Sequence, residues 1–209
     1  MIEVCTLLWA TNERSALFSR GYNEKWVNRL YLNFRRHLTR PFHFTVFTDR
    51  DRTFLPGVQQ ERLTRLPPDY GNCVEPFRLD VPMILVGLDT VIIKNIDHLA
   101  DWALNAGDKI GMPKHPYRPW ACNGVVLAPG GRREIFDRWR GENDMEWLRR
   151  FPHVLLDDIF PKQIVSYKAH VLPVGELGAA RIVYFHGRPK QPELKRLPWV
   201  RENWLEVTP

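Results

Sequence analysis

The chain has 209 residues, 44% of them apolar and 12% aromatic, enough to bury one substantial core and too apolar for a disordered segment. Its formal charge is +6, yet the arginines are scattered and no helix-turn-helix spacing, RNA-recognition signature or zinc finger accompanies them, which argues against a nucleic-acid partner. No apolar run approaches the ~20 residues that span a bilayer.

Three scattered cysteines, Cys5, Cys73 and Cys122, make neither a disulfide framework nor a zinc site and fit a reducing compartment. The opening Met1-Ile2-Glu3-Val4-Cys5 lacks the basic and apolar regions of a signal peptide. A cytoplasmic protein is the expectation.

Residues 4–9 form an apolar run and predict a first buried strand. A polar loop over 10–21 follows. Tyr22, Trp26, Leu30, Phe34 and Leu38 then recur every four residues, with Lys25, Asn28, Arg29, Arg35 and Arg36 mostly off that stripe. Residues 22–38 are therefore predicted as an amphipathic helix, ended by Thr39-Arg40-Pro41. Residues 42–48, β-branched and aromatic, predict a second strand, and strand, helix, strand with short links predicts a parallel βαβ unit.

Residues 55–72 are rich in proline and glycine and read as loop. Strands are predicted at 83–86 and 91–93, and they bracket Gly87-Leu88-Asp89. Residues 109–118 read as a second proline-rich loop, followed by a strand at 124–127. Short helices are expected at 131–140 and 144–151, and a late strand at 181–186. Residues 192–209 carry Trp199 and Trp204 with little periodicity and are expected to wrap back over the body. With no internal repeat and no low-complexity linker, residues 1–209 read as a single α/β domain.

Two stretches carry the chemistry. Residues 182–190, Ile-Val-Tyr-Phe-His186-Gly187-Arg188-Pro189-Lys190, are a short apolar run that ends in an imidazole, a glycine and two cations. A strand stopping there delivers a metal or proton ligand to a sheet edge, lets backbone approach a ligand at Gly187, and offers Arg188 and Lys190 to a phosphate. About a hundred residues earlier, Asp89 interrupts the most apolar run of the chain, residues 84–93. A carboxylate there is costly unless it meets a cation or ends a strand at an open edge, where α/β sheets bind ligands. A turn-forming Gly-Leu-Asp-Thr is the plainer alternative. Together the two stretches point to a diphosphate–metal site built from two distant strand ends, with Asp89 and His186 as metal ligands.

Secondary candidates each have a structural alternative. Asp157 and Asp158 follow Val154-Leu155-Leu156 and either position an acceptor or sugar or cap a helix. Asn123 and Gly124 open a strand, where the amide can meet sugar hydroxyls or make a turn. Trp120 in His115-Pro116-Tyr117-Arg118-Pro119-Trp120 reads as core before it reads as a sugar platform.

Taken together, these residues resemble nucleotide-sugar glycosyltransferases with the A-type, Rossmann-like fold, in particular small bacterial members related to family 8. The motifs that carry the resemblance are the 4–9 strand with the 22–38 helix, Phe44-Thr45-Val46-Phe47-Thr48-Asp49, and the Leu88-Asp89 core. Asn123-Gly124-Val125-Val126-Leu127, Val165-Ser166-Tyr167-Lys168 and Phe185-His186-Gly187-Arg188-Pro189-Lys190 complete them. The resemblance implies a mixed, mostly parallel sheet and transfer of a sugar from a UDP-type donor to an acceptor hydroxyl, with retention favoured over inversion.

It places the base near Leu8, Trp9, Ala10 and Thr11, and Mn²⁺ or Mg²⁺ at an Asp-x-Asp element. It places a C-terminal His and Lys on the diphosphate and leaves Arg78 as the remnant of a basic sugar contact. The residues themselves offer Lys190 and Arg188 to stabilise the leaving group and Asp157 or Asp158 to position the acceptor or sugar, so Asp157, Asp158 and Lys190 are the catalytic candidates. Three departures stand out: Gly87 occupies the place of the first acid, His186 adjoins Gly187 where relatives space the two apart, and residues 71–81 are short where relatives carry a helix with a basic residue. A non-catalytic sugar-nucleotide binder is the second expectation. A nucleotidyltransferase is a third, opposed by the lack of a glycine-rich, lysine-bearing loop within residues 4–21.

Overall fold

The computed structural model describes residues 1–15 and 21–207. The loop expected over 10–21 and the wrap expected over 192–209 thus fall partly outside the described residues. Strand β1 (Ile2–Leu8) is buried on both faces, as a central parallel strand must be. Its side chains alternate: Val4 and Leu8 enter one core, Cys5 and Leu7 the other. Helix α1 (Glu24–His37) starts where the Asn23 side chain accepts the Lys25 N–H and stops at Leu38, which is extended. Glu24 lies in its first turn and Arg35, Arg36 and His37 in its last, the arrangement that suits the helix dipole. Strand β2 (Phe42–Thr48) then pairs with β1 in parallel, from Ile2 opposite Phe42 to Leu8 opposite Thr48, which completes the expected βαβ unit.

The stretch expected as loop over 55–72 contains a strand, β3 (Val58–Arg62), parallel to β2. Its sequence, Val-Gln-Gln-Glu-Arg, has no apolar alternation because it is an exposed sheet edge, held by backbone pairing alone. A 3₁₀ helix follows at Tyr70–Leu79, capped by Asp69. Strand β4 (Met83–Val86) lies beside β1 in parallel, and β5 (Thr90–Ile92) leaves for a second sheet.

Helix α2 (Asp97–Asn105) was not expected, and β6 (Ile110–Met112) lies inside the stretch read as proline-rich loop. The central residue of β6 is Gly111, which weakens the strand signal. It is needed there, since a Cβ at 111 would lie 2.5 Å from Leu156 and 2.8 Å from Trp102. Strand β7 (Val125–Ala128) is antiparallel to β4 and β6. Helices α3 (Glu134–Asp137) and α4 (Asp144–Leu148) are shorter than predicted. The remaining strands and α-helices among the described residues are β8 (His153–Leu155), α5 (Leu156–Ile159), β9 (Ile164–Ser166), β10 (Ile182–Tyr184) and α6 (Pro198–Val200).

The result is an α/β fold around a seven-stranded, mostly parallel mixed sheet in the order β3-β2-β1-β4-β7-β6-β8, compatible with a Rossmann-like arrangement. A three-stranded sheet, β5-β10-β9, stands beside it. One core lies under α1, α2 and the small sheet, and a second lies under the 3₁₀ helix, α3 and α4. The buried Asn33 of α1 fixes the small sheet, donating to the Ile92 carbonyl at 2.8 Å and accepting its N–H at 2.5 Å. Trp204, near the C-terminal end of the described residues, is fully buried, 4.7 Å from Trp26 between ring centres, with Arg29 over its face at 4.3 Å.

Candidate functional site

Parallel β1 has β2 on one side and β4 on the other, so the chain reverses its winding between β1 and β4. Such a switch point opens a crevice at the carboxyl ends of the strands, where open α/β sheets bind ligands. Here it is a cavity of about 400 Å³. Leu7, Leu8 and Trp9 from the end of β1 and Leu85 and Val86 from the end of β4 supply apolar wall. Because β7 runs antiparallel, with Val125 opposite Val86, its opening residues Asn123 and Gly124 reach the same end. Gly124 lets the seam close, since a Cβ there would meet the Tyr184 ring at 2.8 Å.

The charged wall comes from the small sheet. Antiparallel pairing sets Tyr184 opposite Thr90, and the Phe185 N–H donates to the Asp89 carbonyl at 3.0 Å. This register, continued, lays Phe185, His186 and Gly187 across from Gly87, Leu88 and Asp89. Gly187 has a φ of +66°, a backbone shape that glycine adopts without strain, and the chain turns there to bring Lys190 back. The Lys190 ammonium donates to Asp89 Oδ2 and, at 3.0 Å, to the Phe185 carbonyl. Tyr22 also donates to Asp89 Oδ2, at 3.0 Å. Burial, and then the Asp89 charge, push the Tyr22 phenol far up, so it remains a donor.

His186 Nε2 lies 2.7 Å from Ser166 Oγ. Burial, then Lys168 and Lys190, hold its imidazole below the usual histidine range.

Asp144, which the sequence reading passed over, is a buried carboxyl in the cavity wall. Burial pushes it up, opposed by hydrogen bonds from the Asn123 amide, the Met145 N–H and the Cys73 thiol. In sequence, Asn143-Asp144 before an apolar turn reads only as a helix start, and the Asn143 side chain does cap α4. Tyr22 looked like the first residue of the α1 stripe; it precedes the cap and serves the cavity instead.

Of the other expected residues, Leu8, Trp9, Asp89, Asn123, Gly124, His186, Gly187 and Lys190 line this one cavity. Ala10 lies beside it, its N–H donating to Asp49 Oδ2 at 3.1 Å; Thr11 is exposed. Burial of Asp49 acts upward, but the Arg52 guanidinium at 2.8 Å and the Ala10 N–H outweigh it and hold the carboxyl below its usual range. Arg78 does not line the cavity: it bonds Glu61 at 3.0 Å and the Arg62 carbonyl at 2.8 Å, with Phe47 beneath it. Arg188 has 85% of its side chain exposed, with Glu193 at 3.5 Å.

Asp157 and Asp158 form the first turn of α5 and stand outside the cavity wall. Asp157 Oδ2 accepts the Lys114 N–H at 2.7 Å, at the base of a tight loop closed by a bridge from Lys114 to Ala121. That loop carries Tyr117 against the His186 ring, 5.7 Å between centres, and Trp120, which is 44% exposed and so not core.

The protein's own donors make a sparse site for a resident divalent ion. Asp89 Oδ2 is taken by Lys190 and Tyr22 and His186 Nε2 bonds Ser166, which leaves one carboxylate oxygen and one ring nitrogen. Among the described residues no group of three His, Cys, Asp or Glu is arranged around a common point. No helix among them is long and apolar enough to cross a membrane. No protein-family model and no curated protein matches the sequence.

Proposed function

We propose that the chain is a glycosyltransferase that moves a sugar from a nucleoside-diphosphate sugar, UDP-linked, to an acceptor hydroxyl in the reducing cytoplasm. The observation that carries this reading is the lysine–carboxylate pair, Lys190 on Asp89, at one end of a largely apolar cavity at the switch point. A nucleoside diphosphate has the complementary halves. Its flat base can lie against Leu8, Trp9 and Tyr70, and its diphosphate needs a fixed cation where charge develops. Asn123 and Asp144 together offer amide and carboxylate groups to sugar hydroxyls.

In the transfer, the bond from the anomeric carbon to the diphosphate oxygen breaks, and its electron pair stays with the departing diphosphate. The acceptor oxygen bonds the anomeric carbon, and its proton passes to the leaving diphosphate when configuration is retained. Lys190 stabilises the leaving charge, and Asp89 orients Lys190. Asp157 acts at one remove: it anchors the loop that sets Tyr117 against His186, on the acceptor side.

One observation favours a binder without turnover. Gly87 stands where the resembling enzymes carry an acid, and Asp89 folds back over it, since a Cβ at 87 would lie 2.7 Å from Asp89 Oδ1. Calorimetric titration with UDP, GDP, dTDP and CDP, followed by assay of UDP-sugars for release of UDP, separates the readings. Binding with turnover supports the transferase, and binding without it supports the binder. Failure of every nucleotide to bind contradicts both.

A further inference from the structure

We infer that the cation serving the diphosphate in this cavity is the Lys190 ammonium, so that nucleotide binding is independent of divalent metal. The inference rests on the proposed nucleotide-sugar reading and concerns the same cavity. An ammonium has three donors. Asp89 Oδ2 takes one and the Phe185 carbonyl takes a second, which leaves the third for a ligand. Those two bonds fix the head of an otherwise flexible side chain, as a phosphate-binding lysine requires.

The same contacts disfavour a competing ion at the carboxylate. Mn²⁺ and Mg²⁺ favour six hard ligands at close range, but Asp89 Oδ2 already accepts from both Lys190 and Tyr22. A dication entering there would sit beside an ammonium and be repelled by it. His186 offers at most one further ligand, Nδ1, because Nε2 bonds Ser166, and the ring lies in the field of both Lys168 and Lys190. A second acid at 87 would have to displace Asp89 Oδ1 from its present position. With Gly87 there, the carboxylate stays on the ammonium.

The test is calorimetric titration of UDP into the wild-type chain with EDTA and with Mn²⁺, beside Lys190→Met and Lys190→Arg. Titration of Mn²⁺ alone into the wild type completes the set. Expected are wild-type affinities that agree within about twofold with and without metal, and no saturable Mn²⁺ binding by the free protein. Lys190→Met should lose about tenfold or more, equivalent to about 1.4 kcal/mol, under both conditions, and Lys190→Arg should recover part of that loss. Thermal melting of each variant shows that it is folded, and the wild-type arms decide even if Lys190→Met is not.

UDP binding that requires Mn²⁺, or Lys190→Met binding UDP as tightly as wild type, would overturn the inference while leaving the nucleotide reading intact. Absence of UDP binding in every arm would remove the nucleotide reading, and this inference with it.

Discussion

The two sheets divide the labour of the cavity. The seven-stranded sheet contributes apolar strand ends whose neighbours are buried on both faces, and the three-stranded sheet contributes Asp89, His186, Gly187 and Lys190. Strand β4 and strand β5 are separated only by Gly87, Leu88 and Asp89, yet they belong to different sheets. The site is therefore a seam: a rigid wall that shapes, and a charged edge that binds. Changes deep in the large sheet should cost stability and spare affinity, whereas changes at the edge should do the reverse.

The largest effect tests the first half of that contrast. Phe44, buried in β2 between Tyr31 and Phe34, should cost about 3–5 kcal/mol when cut to alanine, measured by urea unfolding. UDP affinity of the folded variant should stay within about twofold of wild type; a parallel loss of affinity would break the contrast. Gly124→Val attacks the seam itself, because the new side chain meets the Tyr184 ring. A stability loss of about 1–3 kcal/mol and a weaker UDP titration should appear together, the one place where both are expected to move.

A smaller effect concerns Asp144. Burial raises its carboxyl above the ordinary 3.8, so over the window above that value the folded chain holds a proton that the unfolded chain releases. This contribution to stability is full below 3.8 and is lost as pH rises through the raised value. Asp144→Asn removes it. Melting curves from about pH 4 to about pH 7 should show the wild type losing stability with rising pH relative to the variant; parallel curves would place Asp144 in an environment without that penalty. The smallest effect is Arg188→Ala. An exposed side chain with one distant partner should change stability by less than about 0.5 kcal/mol and UDP affinity far less than Lys190→Met does. A loss as large as that of Lys190→Met would move the charged edge outward from the cavity.

Much of the rigid wall was legible in the sequence, because burial writes a period. The four-residue stripe of α1 and the apolar runs of β1, β2, β4 and β7 all became elements close to their expected bounds. Strand β3 left no such mark, being polar and defined by backbone pairing, and β6 hid behind Gly111 and neighbouring prolines. At the site, Asp89 and the 186–190 stretch were visible because charge interrupts apolar sequence. Tyr22 and Asp144 were not, since each carries an ordinary local role as well, one beside a helix stripe and one in a capped first turn. Arg78 and Arg188 show the converse: a cation near a motif in sequence need not face the cavity. Only the register of β5 against β10 decides which of the distant charges meet.

The most direct test of the seam is a crystal structure of the chain grown with UDP and EDTA. The account predicts the base against Leu8 and Trp9 at the end of β1, and a phosphate oxygen within hydrogen-bond distance of Lys190 Nζ. A nucleotide bound elsewhere, or in this cavity with its diphosphate away from Lys190, would contradict it.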